Sequence, residues 1–148
     1  MTRFRKAIGL ALAPLALAWV YPAAAQEVPF TYGDYWQVAQ IQVDDGANAQ
    51  YIDYLATEYK KSQEFAKSKG WIREYHVLEN LNKRPGEADI YLVTVFGHMP
   101  DAKESAARDK EYEAYLQKDM RRMEAESGGR AKYRKVLGSE LLGEILLK

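Results

Sequence analysis

The chain has 148 residues, with 21 basic and 21 acidic side chains and no cysteine. That balance supplies no basic field for nucleic acid or anionic lipid. The missing thiols exclude disulfides, cysteine nucleophiles and thiolate zinc sites.

The front end reads as a cleavable signal peptide over residues 1–25. Arg3, Arg5 and Lys6 form a positive n-region, an apolar run of 14 residues follows from Ala7 to Val20, and Ala23-Ala24-Ala25 supplies the small-x-small cleavage pattern. A run of that length falls short of the roughly 18 residues that a spanning helix needs. Pro22 breaks any helix just ahead of the cleavage point. The expected location is therefore the periplasm or the medium, with no stable membrane anchor after cleavage. The chain beyond Ala25 carries 18 basic and 21 acidic residues, a net −3.

Residues 26–34 read as an irregular lead-in, and residues 35–148 as one domain. Tyr35 to Val43 is rich in aromatic and β-branched residues and predicts a strand, which Asp44-Asp45-Gly46 ends. Asp45 or Asn48 is a candidate cap for a helix to about Ser68. Tyr51, Leu55 and Tyr59 recur every four residues there, with Ile52, Phe65 and Ala66 completing the apolar stripe. Gly70 is placed to end that helix.

Trp71 to Leu78 predicts a second strand, Asn80 to Ala88 with Pro85-Gly86 a hairpin loop, and Asp89 to His98 a third strand. Pro100 and Asp101 open a helix to about Glu126, with Tyr112, Tyr115, Leu116, Met120 and Met123 inward. Glu104 and Arg108 can pair on its outside, and Gly128-Gly129 reads as its stop. Residues 131–136 fit either state, and Glu140 to Lys148 predicts the last strand.

The resulting β-α-β-β-α-β order predicts an α+β, ferredoxin-like domain: a four-stranded antiparallel sheet with two helices on one face. In the third strand Tyr91, Val93 and Val95 fall on one parity and Ile90, Leu92 and Phe96 on the other. Both sheet faces are then apolar. Leaving the second one wet forfeits roughly 25 cal/mol per Å² of buried area, so a two-fold partner packed sheet to sheet is the simplest cover.

The segments YWQVAQIQV, KSKGWI, EYHVL and ADIYLVTVF resemble the dimeric α+β barrel superfamily, in particular small exported bacterial proteins of uncharacterised function. The resemblance implies a homodimer with a pocket beside the sheet. It implies no single chemistry, because that fold hosts monooxygenases, isomerases, haem enzymes and barrels with no agreed activity.

Two readings of function follow. The first is a non-catalytic homodimer that binds a small apolar or aromatic molecule in the cleft beside its sheet. Gln40, Gln42, Thr94, Tyr75 and Tyr91 are its expected ligand-binding residues, polar groups in an apolar setting. Ten tyrosines follow the leader; most are expected to serve core packing. The second reading is a cofactor-free or metal-assisted monooxygenase or isomerase, with His76 or His98 as general base and Glu74 or Tyr91 as helper.

No cofactor is expected. A metal held by His76 and His98, with Glu74 completing a facial triad, is the minor variant. Whether the two imidazoles share a face depends on the hairpin register. The basic run Arg121, Arg122, Arg130, Lys132, Arg134 and Lys135 interleaves with Glu124, Glu126 and Glu140 and reads as a solvated face. The glycine patterns that cradle phosphates and the serine-hydrolase elbow are both missing from the sequence.

Overall fold

The computed structural model describes residues 27–148, and the leader-like segment with its cleavage site lies outside them. The described chain is α+β. A four-stranded antiparallel sheet in the order β2-β3-β1-β4 is built from β1 (Phe30–Val43), β2 (Glu74–Glu79), β3 (Ile90–Phe96) and β4 (Arg134–Leu147). Between β1 and β2 run α1 (Asn48–Tyr54), a π-helical turn (Leu55–Tyr59) and α2 (Lys60–Ser68). Between β3 and β4 run α3 (Ala102–Leu116) and α4 (Met120–Arg130). Among the described residues no helix is long and apolar enough to cross a membrane.

The core lies where α1 and the π turn meet the sheet. Tyr51 and Leu55 pack with Ile41 and Ile90, flanked by Val43, Tyr54, Tyr59, Leu92 and Tyr133. The register Ile41↔Ile90, Ala39↔Leu92 and Gln37↔Thr94 puts these positions on the face that the helices cover. In β2 that face receives Tyr75 and Val77, opposite Thr94 and Leu92.

Several boundaries differ from the sequence expectation, each for a physical reason. β1 begins at Phe30, inside the segment read as irregular, because Phe30, Thr31 and Tyr32 pair with Leu147, Leu146 and Ile145. A bulge at Gly33-Asp34 interrupts this ladder, where the Asp34 amide donates to the Glu144 carboxylate. A Cβ at Gly33 would meet that carboxylate, so a larger residue there would displace the Glu144 side chain.

The first helix is capped by neither Asp45 nor Asn48. Its N-cap is Ala47, with no side-chain bond. At the other end Gly70 acts as expected. With φ +69° it closes a Schellman motif, in which the Trp71 amide donates to the Ala66 carbonyl and the Gly70 amide to the Lys67 carbonyl. Trp71 then packs edge-on against Phe65 at 5.3 Å, the apolar contact that usually accompanies the motif. This capping keeps Trp71 out of β2, which starts at Glu74.

The second helix is two helices. Gln117 adopts a left-handed conformation (φ 54°), and Asp119 caps α4 by accepting from the Arg122 amide. Asp101 caps α3 through the Glu104 amide. Gly128 and Gly129 lie inside α4 rather than stopping it. The helix ends one residue after them, at Arg130, and Tyr133 just beyond docks edge-on against Tyr51 at 6.4 Å. That anchor also settles residues 131–136, with β4 beginning at Arg134.

Burial is uneven. Tyr51 and Leu55 are buried under the sheet, whereas α3 and α4 contain no fully buried residue. Amide hydrogen exchange is therefore expected to be slowest across the centre of β1 and β3 and in α1, and much faster in α3 and α4. Uniform protection across all helices would contradict this distribution.

Candidate functional site

The residues expected from sequence to form one pocket divide between the two faces of the sheet. On the face away from the helices, Glu74 and His76 stand opposite Val95 and Val93, with Gln40 opposite Tyr91. Gln42 follows Gln40 on the same parity. His76 and Glu74 approach to 3.5 Å, and both are well exposed. The Trp36 ring lies near-parallel to the His76 imidazole at 6.4 Å. Because β3 runs between their strands, this pair roofs the valines beneath. Val93 and Val95 are each only 4% exposed although they point away from the helices. Gln40 donates to Glu140 at 2.9 Å. The open face thus covers its own centre and leaves Leu78, Leu142 and Leu146 exposed at its periphery.

Thr94 and Tyr75 lie on the helix face. Tyr75 donates to Glu64 at 2.7 Å, and that bond to a carboxylate raises its hydroxyl pKa. His98 follows β3 beside α3, with its Nε2 at 3.2 Å from the Glu104 carboxylate. His76 and His98 are therefore on opposite sides of the sheet. Among the described residues no three His, Asp or Glu side chains gather closely enough to hold a metal ion.

Two open clefts near these residues lie on the helix side. A cleft of about 290 Å³ opens between the sheet and α3, with Gln37 and Thr94 on its floor and Trp71, Phe96, Met99 and Arg108 around it. A second cleft of about 260 Å³ lies between α2 and α3, bounded by Ser62, Gln63, Tyr112 and Asp109, and it shares Trp71 and Arg108 with the first. The walls are apolar and aromatic with a few polar groups, the composition of a ligand site.

Arg108 was not among the residues expected there. Its guanidinium sits 5.5 Å over the Trp71 ring and donates a short hydrogen bond from Nη2 to Glu104. Arg108 holds the Glu104 carboxyl below its usual range, with His98 contributing in the same direction. One carboxylate thus serves two cationic partners.

Three buried polar atoms around these clefts have no hydrogen-bond partner: Tyr59 Oη, Gln63 Oε1 and Arg108 Nε. Buried unpaired groups are costly, about 1–3 kcal/mol each, so each calls for an explanation; the Nε atoms of Arg130 and Arg134, away from these clefts, are unpaired as well. Burial pushes the Tyr59 hydroxyl up to about 12, and Thr94, which it faces without reaching bonding geometry, opposes that shift. The π turn that ends at Tyr59 delivers this hydroxyl to the sheet, and such turns recur at functional sites.

A further cluster lies at the far end of the helix layer. Lys118 bridges Glu58 and Glu126, tying α4 to the π turn. Arg130 sits 4.2 Å over the Tyr54 ring, and Arg134 donates to Ser127. These residues join the ends of α4 to the core.

No family model, no curated protein and no solved structure matches the chain.

Proposed function

We propose that the chain is an exported bacterial homodimer that binds a small apolar or aromatic molecule beside its sheet. The observation that carries this reading is the pair of aromatic-walled clefts, one between the sheet and α3 and one between α2 and α3, with unpaired polar atoms buried around them. Their combined size falls in the range of about 300–1,000 Å³ typical of ligand pockets. The occupied side is then the helix side, through Thr94 and Gln37, rather than the open face that carries Gln40, Gln42 and Tyr91.

The antiparallel order β2-β3-β1-β4 supports assignment to the ferredoxin-like plan. Exposed apolar side chains along β4, an edge strand of 14 residues, support a second copy as cover. The sequence of residues 1–25 supports export. The catalytic alternative retains a single element, His98 oriented by Glu104 at the border of the cleft, because His76 and Glu74 lie across the sheet from it.

Titration of isotope-labelled protein spanning residues 26–148 with indole tests the reading. Shifts are expected at the Trp71 indole N–H and at the Gln37 and Thr94 amides. Shifts confined to Trp36, His76 and Tyr91 would move the site to the open face, and no site-specific shift with indole or with larger planar aromatics would refute the cleft as a binding site.

A further inference from the structure

Trp71 and Arg108 border both clefts, so their stacked side chains form the partition between them. The partition is built from side chains that can part. Arg108 lies on α3, which has no fully buried residue, and its ion pair goes to a partly exposed Glu104 that His98 also approaches. The Glu104 end of that pair is 38% exposed, so solvent competes for the carboxylate. In this arrangement Arg108 Nε and Gln63 Oε1, both beside the partition, are buried without partners. The closed partition therefore costs hydrogen bonds that opening it would restore.

Resting on the binding function proposed above, we propose that Arg108 is a displaceable plug. A planar, uncharged aromatic molecule takes the place of its guanidinium on the face of Trp71 and joins the two clefts into one site. The flat indole face is the element a guanidinium and an aromatic ring can each stack on. Phe65 packs edge-on against the same indole and holds it in place, while the Schellman turn fixes the backbone at Gly70 and Trp71.

The charges select the class of ligand. Once the guanidinium swings out with Glu104, the ionic side chain left at the cleft is Asp109, which disfavours a carboxylate. Gln63 Oε1, unpaired at the same cleft, can accept a hydrogen bond from a hydroxyl or ring N–H. A neutral phenol-type or indole-type molecule satisfies both conditions, and an aromatic acid of the same shape does not.

The test uses the protein spanning residues 26–148 with 2-naphthol and 2-naphthoate as matched probes, followed at the Trp71 indole N–H and the Arg108 Nε–H. With 2-naphthol both signals are expected to shift, and 2-naphthoate is expected to bind at least about tenfold more weakly. Arg108→Ala is expected to tighten 2-naphthol binding about three- to tenfold, because the competing cation–π contact is gone. Arg108→Lys, which keeps the charge but not the planar group, should fall between the two. Folding of each variant is verified by the unperturbed core signals of Ile41 and Val93.

Unchanged or weaker binding by Arg108→Ala, with shifts still centred on Trp71, would overturn the plug and leave the cleft as the binding site. Equal affinity for the two probes would overturn the assignment of a neutral ligand. If neither probe, nor indole, perturbs the cleft, both the plug and the binding function fail together.

Discussion

Replacing Tyr51 by alanine is expected to destabilise the protein by about 3–5 kcal/mol, the usual cost of removing a large buried aromatic. Tyr51 is 1% exposed and is the largest fully buried side chain among the described residues. It packs against Ile41, Leu55 and Ile90, stacks on Tyr54 at 5.8 Å and receives the edge of Tyr133. Its loss therefore removes the shared contact of α1, the sheet and the entry to β4. Against a typical total of about 5–15 kcal/mol, the urea midpoint should fall by at least about 1 M. A shift within error would mean that these packing contacts do not hold the core together.

Tyr51→Phe separates packing from ionisation. Burial pushes the Tyr51 hydroxyl up to about 12, although Arg134 and Arg130 pull it down. Its folded pKa is thus above the unfolded value near 10, so its stabilising contribution is complete below pH 10 and is lost as pH rises toward 12. Tyr59 is pushed to about 12 in the same way. Stability of the unaltered protein should therefore fall between pH 10 and 12. The double change Tyr51→Phe and Tyr59→Phe should flatten that fall, as read by urea titrations at the two ends of the interval.

The strand centres and the first helix exit are legible in the sequence because they depend on local chemistry, whereas residues 30–32 and 134–139 join their strands through pairing that is not local. β3 shows itself by apolar residues on both parities, and Gly70-Trp71 by the left-handed turn and its apolar partner. Register is not local. Only the pairing of Tyr75 with Thr94 and of His76 with Val93 reveals that the proposed polar residues face opposite ways. The π turn is hidden for a related reason, since Tyr51, Leu55 and Tyr59 at intervals of four look the same as an uninterrupted α-helix.

Arg108 is the instructive omission. Its spacing from Glu104 marks an outer-face ion pair, and that pair is present. Yet the inward stripe of Tyr112 and Leu116, extended back by one helical step of four, reaches Arg108. An arginine on the apolar stripe of a helix is the signal that points to the cleft. In α4 the glycine pair is a sound local signal, since the helix ends one residue beyond it at Arg130.

The second large effect concerns the dimer. Leu142 and Leu146 lie on one face of β4, exposed to 48% and 47%, on the same side of the sheet as Leu78. Because the Trp36–His76 roof already shields Val93 and Val95, the apolar surface left for a partner is this outer band. In the proposed dimer, a two-fold contact would bring each leucine against the same band of the other copy. Changing Leu142 and Leu146 to glutamate then buries four carboxylates near one another, a penalty of several kcal/mol if they stay ionised. The dimer is expected to dissociate at least about a hundredfold more readily, an effect of about 3 kcal/mol. The exposed starting positions should leave the fold intact by circular dichroism. Sedimentation at micromolar protein should show the unaltered chain as a dimer and the double variant as a monomer. A monomeric unaltered chain would remove the partner from the proposal, while the clefts, enclosed by α2, α3 and the sheet of one chain, would keep their walls.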